Sequence, residues 1–141
     1  MSRIYWDSML FIYWIEGHPV YGPRVEHILD RMTERGDLLC TSAFTIAEVL
    51  TGPVKQGDEQ LAGQIREAFD NSAIQVLPFT TATAELYSSI RGRLGFSPVD
   101  AIHLASAAEA KTDIFLTNDD ALIGRRVPGI QFVTSMNAEL F

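Results

Sequence analysis

The sequence predicts an α/β fold, a three-layer α/β/α sandwich around a mostly parallel central sheet of four to five strands. Two observations carry this expectation. Short β-prone runs alternate with helix-length segments along the chain, the pattern of strand–helix–strand units. One segment, Val99 to Ala110, is rich in alanine and mostly apolar all round, which suits a deeply buried helix. At 141 residues the chain fits one domain spanning 1–141.

The elements follow in order. Ile4-Tyr5-Trp6 is a short strand closed by Asp7, and an apolar helical segment then runs toward Gly17-His18-Pro19. Val25, Ile28, Leu29 and Met32 recur at helical spacing, with Gly36 as the stop. Leu38 to Thr41 reads as a buried strand, and Ser42 caps a helix from Ala43 to Leu50 that Gly52-Pro53 ends. Asp58 to Asp70 forms an amphipathic helix with Leu61, Ile65 and Phe69 on one face. Ile74 to Phe79 is the third strand and Thr81 to Leu94 the next helix. Ser97-Pro98 opens the alanine-rich helix with a cap followed by proline in the first turn. Ile114 to Thr117 and Ile130 to Val133 supply the fourth and fifth strands.

Composition narrows the function. Apolar residues make up 47% and charged residues 21%, an ordinary globular balance. A single cysteine, Cys40, excludes an intrachain disulfide and a CxxC metal site. The longest apolar run, Met9 to Ile15, has seven residues, far short of the ~18 of a membrane span. A cytoplasmic protein without membrane contact is the expectation. The 11 basic residues stand against 18 acidic ones, a net charge of −7, whereas a protein gripping nucleic acid by general electrostatics is normally basic. Either nucleic acid is not the partner, or the acids gather where cations neutralise them.

Four acids favour the second reading. Asp7 and Asp119 follow strands directly, where ligands of open α/β sheets bind. Glu48 and Asp100 interrupt apolar helical stretches, and an ionised carboxylate there is costly unless paired or bound to metal. Any one of them could cap a helix or pair with a distant arginine; the four together point to a shared metal site. Oxygen ligands without cysteine or paired histidines suit Mg²⁺ or Mn²⁺. Such an ion activates water for in-line attack on a phosphodiester and offsets charge on the phosphate.

Ile4-Tyr5-Trp6-Asp7-Ser8, Ser42 to Val49 with Glu48, Asp100 to Ala105, and Leu116-Thr117-Asn118-Asp119 follow one another as in PIN-domain proteins. The chain most resembles the VapC-type toxin ribonucleases of prokaryotic toxin–antitoxin pairs. The resemblance implies a PIN-like sandwich that cuts RNA with Mg²⁺ or Mn²⁺, a cognate antitoxin that holds it inactive, and a homodimer. It implies Asp7, Glu48, Asp100 and Asp119 as catalytic metal ligands, with Asp120 as the alternative to its neighbour. Ser8, Thr117 and Asn118 are the implied supporting residues, and Met9 departs from the polar residue of many members. A non-toxin PIN nuclease, acting in RNA processing or on DNA, and a catalytically silent PIN scaffold are the alternatives. Other phosphate-handling enzymes fit less well: a phosphatase with an aspartyl nucleophile needs a second Asp where Met9 stands.

Arg91, Arg93, Arg125 and Arg126 flank the segments bearing Asp100 and Asp119, so solvated surface and phosphate contact are both open to them. His103, three residues after Asp100, reads as a satisfied core or rim residue; His18 and His27 read as surface residues.

Overall fold

The computed structural model describes residues 1–71 and 73–141. β1 (Arg3–Trp6) leads into α1 (Ser8–Ile15) and α2 (Tyr21–Arg35), followed by β2 (Leu38–Ser42), α3 (Ala43–Gln56), α4 (Glu59–Asn71) and β3 (Gln75–Leu77). α5 (Thr81–Leu94) and α6 (Pro98–Glu109) then precede β4 (Ile114–Thr117) and β5 (Phe132–Ser135). The five strands lie in the order β3-β2-β1-β4-β5, with every neighbouring pair parallel.

The period-two alternation of the strands sorts the side chains into two cores. Ile4, Trp6, Leu39, Ile114 and Leu116 pack with Leu10, Phe11, Val25, Ile28, Val49, Ile65 and Phe69 of α1 to α4. Tyr5, Cys40, Leu77, Phe115 and Val133 face the other way, onto Ile90 of α5 and Ala101, Leu104, Ala105 and Ala108 of α6. These are the three expected layers. α6 is buried along most of its length, and its small alanines let it lie close against the sheet.

Local chemistry sets most element ends. Asp7, Ser42, Thr80 and Ser97 cap α1, α3, α5 and α6 through their side-chain oxygens, and Gly36 ends α2 in the left-handed conformation at φ 71°. Gly129 (φ 95°) has a further constraint: a Cβ there would meet the Ala108 carbonyl oxygen at 2.7 Å.

Three boundaries differ from the sequence expectation. α3 does not stop at Gly52-Pro53 but runs to Gln56, with Pro53 inside it and Gly57 as its left-handed cap. Packing against α1 and α4 outweighs the missing amide of Pro53. β3 pairs only over Gln75–Leu77, and β5 begins at Phe132, because Gln131 and Ile130 are taken up by backbone bonds to Thr112 and Val127 before the ladder starts. His18 is half-buried rather than a free surface residue: its Nδ1 accepts the backbone amides of Val20 (3.2 Å) and Tyr21 (3.0 Å) where α2 begins.

The chain adds β2 and β3 on one side of β1, then β4 and β5 on the other. Strand order therefore reverses between β1 and β4, and the crevice at their carboxyl ends is where this architecture binds ligands.

Candidate active site

Asp7 stands at that crevice. Its backbone amide donates to the Leu116 carbonyl (3.3 Å), tying the end of β1 to β4. Its carboxylate is fixed through both oxygens: Oδ1 accepts from the Met9 amide (3.1 Å) and Oδ2 from the Thr117 hydroxyl (2.5 Å). An anion at this point also meets the positive end of α1. Burial pushes the Asp7 carboxyl above the usual range; Thr117, the charge of His103 and the Met9 and Leu10 amides pull against that shift without cancelling it.

Thr117 is fully buried and joins two of the acids. Its Oγ1, donating to Asp7, also accepts the backbone amide of Asp119 (3.0 Å). The Asp119 carboxylate is exposed and caps its own turn, Oδ1 accepting from the Ala121 amide (2.9 Å). Asp120 is exposed and, among the described residues, carries no such tie to Thr117. Asn118 braces the same loop, donating to the Tyr13 hydroxyl (3.1 Å) and accepting from Asn137 (3.2 Å).

Glu48 lies on α3, where its carboxylate meets Ser8 beside Asp7, and Asp100 lies in the first turn of α6; both are half-buried. Glu48 Oε1 lies 2.5 Å from His103 Nε2, and the Ser8 hydroxyl is a further partner of its carboxylate. Burial acts most strongly on Glu48 and would raise its carboxyl, but the hydrogen bond and charge of His103, with Ser8, hold it below the usual range. His103 is itself buried and takes its other ring nitrogen, Nδ1, to the Tyr5 hydroxyl at 2.7 Å. His103 is thus the satisfied core residue that the sequence suggested, and one of its two partners is a candidate acid. The available sequence signal was its place one turn beyond Asp100 on an apolar helix.

The four acids are not drawn into a ready cage. Among the described residues no group of three His, Cys, Asp or Glu is spaced to hold a metal ion. Asp7 and Asp119 take neutral donors and Glu48 a histidine.

The arginines divide. Arg91 donates to the Phe96 carbonyl (2.7 Å), and Arg125 lies over the Phe96 ring (4.2 Å) and donates to the Leu94 carbonyl (3.1 Å). Both hold the α5–α6 turn. Arg93 and Arg126 are exposed.

The sequence matches the PIN domain over residues 4–127. The chain belongs to the PIN-domain family. PIN domains are nucleases that typically use divalent metal ions. Solved structures share this fold, two among them from toxin–antitoxin complexes. A chain of the VapBC2 complex from Rickettsia felis, bound to a DNA fragment from its promoter, superposes with a TM-score of 0.76 at 16% identity, over 94% of this chain and 98% of that one. A chain of a toxin–antitoxin complex from Klebsiella pneumoniae gives 0.65 at 21% identity, over 90% and 94%. No curated protein matches the sequence significantly. Among the described residues, no helix of this PIN domain is long and apolar enough to cross a membrane.

The donor chemistry fits a hard divalent cation. Every candidate ligand is a carboxylate oxygen, and Asp7 is a desolvated carboxylate that forms no ion pair with Lys or Arg among the described residues.

Proposed function

We propose that this PIN domain is a cytoplasmic Mg²⁺- or Mn²⁺-dependent endoribonuclease, the toxin of a toxin–antitoxin pair. The observation that carries the nuclease reading is the Asp7–Thr117–Asp119 linkage at the carboxyl ends of β1 and β4, where the strand order reverses. Asp7, Glu48, Asp100 and Asp119 would hold the cation, which would supply an activated water and offset charge on the phosphate oxygens. The chain's own residues do the positioning. Thr117 orients Asp7 and the Asp119 turn, Ser8 reaches Glu48, and Asn118 fixes the loop that carries Asp119. Arg93 and Arg126 are the arginines left to meet the RNA backbone.

The toxin reading rests on the fold shared with chains of the VapBC2 and Klebsiella toxin–antitoxin complexes. On that reading the partners are a cognate antitoxin, a second copy of the chain in a homodimer, and RNA. An antitoxin that places an Arg or Lys among the acids would supply the charge that the cation otherwise provides.

Incubation with RNA and DNA oligonucleotides in Mg²⁺, Mn²⁺ or EDTA tests the nuclease. RNA cleavage with either metal and none in EDTA is expected. Asp7→Asn keeps the shape of the side chain and one of its two acceptor oxygens but removes the charge, so it should fold while cleavage falls by orders of magnitude. Equal cleavage by the folded variant and the parent in metal-limited buffer would remove Asp7 from the site. Growth arrest on expression, relieved by co-expressing a cognate antitoxin, tests the toxin role separately.

A further inference from the structure

Glu48 is gripped by a buried aromatic side chain, His103. His103 is 4% exposed and lies in the sheet–α6 layer, bridging Tyr5 Oη (2.7 Å) and Glu48 Oε1 (2.5 Å). Aromatic rings fix its plane. Tyr5 meets it edge-on at 5.9 Å and 76°, and Phe44 does so at 5.6 Å and 78°. Tyr5 is in turn immobile, with no exposed surface and its ring stacked on Phe115 at 4.9 Å and 8°. The row Phe115–Tyr5–His103–Glu48 thus runs from the middle of the sheet to the crevice, and only its last member reaches solvent. A glutamate on a helix has three rotatable bonds before its carboxylate; this row removes that freedom on the side where the cation would bind.

We propose that His103 is a positioning residue: braced by Tyr5, it holds the Glu48 carboxylate in the place from which it binds a divalent cation. This rests on the metal-site reading above and extends it to two residues, Tyr5 and His103, that touch neither cation nor RNA. Because Nε2 faces a carboxylate oxygen, the row requires a proton on Nε2, with Nδ1 facing the phenol.

The test has two readouts that do not depend on cleavage. Mn²⁺ alone is titrated calorimetrically into the parent, His103→Ala, His103→Gln and Tyr5→Phe, each checked for folding by circular dichroism. Hydrogen-bonded partners of metal ligands typically set ~10–100-fold in affinity. His103→Ala should therefore bind Mn²⁺ at least about tenfold more weakly than the parent. His103→Gln, which keeps an N–H able to reach Glu48, should recover most of that loss, and Tyr5→Phe should fall between them. Should the alanine variant not fold, the glutamine and phenylalanine variants carry the comparison. Folded variants that all match the parent's affinity, or a glutamine variant no better than alanine, would overturn the proposal. Long-range ¹H–¹⁵N spectra of the parent supply the second readout. A protonated Nε2 whose resonance moves in Glu48→Gln is expected; an unprotonated Nε2 would overturn the row. A parent that binds Mn²⁺ as described but cuts no RNA would overturn the nuclease reading and leave the positioning role standing. A parent that binds no Mn²⁺ would overturn both.

Discussion

Three buried ionisable residues at the centre of the sheet are treated differently by their surroundings. Tyr5 and Cys40 face the α5–α6 core, where burial raises both: the phenol well above its ordinary 10.0, and the thiol from 9.0 to about 12, with Arg3 and Thr112 opposing the shift at Cys40. Asp7 is also raised by burial, yet it is the one given charge-stabilising donors on both oxygens. The Cys40 shift fixes a pH dependence. Between pH 9.0 and about 12 an unfolded chain releases the thiol proton while the folded chain keeps it, so this contribution is intact below pH 9.0 and is lost as pH rises through that window. Urea melts of the parent should lose stability between pH 9 and 10.5 at up to about 1.4 kcal/mol per pH unit more than Cys40→Ala does. Parallel slopes would mean that the thiol ionises equally in both states. At this scale the sequence showed the acids but not their partners. Asp7 and Asp119 could be singled out because each follows a strand, and Thr117 through the family resemblance. His103 looked bland because its two bonds reach 98 and 55 residues away, to Tyr5 and Glu48. The carbonyl partners of Arg91 and Arg125 were likewise invisible in composition or spacing.

The elements were legible wherever a local rule decides them. Ser42, Gly36 and Ser97-Pro98 mark helix ends by capping chemistry, and the alternation in Ile4-Tyr5-Trp6 and Ile114-Phe115-Leu116 marks the strands that face both cores. Boundaries slipped where tertiary packing overrides propensity, as in α3, which continues past Gly52-Pro53. Inside a helix, proline forfeits the amide bond to the residue four back, here Val49, and crowds that carbonyl, at a cost of about 3 kcal/mol relative to alanine in mid-helix. Pro53 lies in the last turn, so only Val54 to Gln56 of α3 follow the missing bond. Pro53→Ala should therefore raise stability by about 1–3 kcal/mol and leave α3 in place over Ala43–Gln56. Denaturant midpoints with unchanged slope would register the gain. A loss of stability would instead show that the proline ring contributes packing against α4 worth more than the missing bond.

At the scale of the whole molecule, the net charge of −7 and the topology make sense together. Acids at the amino ends of the strands have structural work, Asp37 accepting the Ser2 amide and Asp113 the Arg3 amide, at 2.9 and 2.7 Å. Asp7 and Asp119 stand at the carboxyl ends of β1 and β4, and on the proposed reading any repulsion between them and the other acids would favour an incoming cation. Like charges ~4 Å apart repel by about 1 kcal/mol in water and about 4 kcal/mol at an effective dielectric near 20. A cation that binds only the folded chain stabilises it by about 2.7 kcal/mol at ~100 times its dissociation constant. For a domain near this size each kcal/mol moves the melting temperature by about 2–4 °C, so a shift of several degrees on adding Mn²⁺ is expected, abolished by EDTA. Asp119→Asn separates ligand from scaffold. Asparagine keeps an oxygen for the Ala121 amide, and the Thr117 bond is to the backbone, so the turn should survive the substitution. The variant should melt at or above the parent in EDTA, since one repelling charge is gone, and gain less on adding Mn²⁺, since one ligand is gone with it. Matched thermal melts of the two proteins at one pH and ionic strength decide the matter. A variant that melts well below the parent in EDTA yet responds fully to Mn²⁺ would make Asp119 a turn residue and shift the metal role to Asp120.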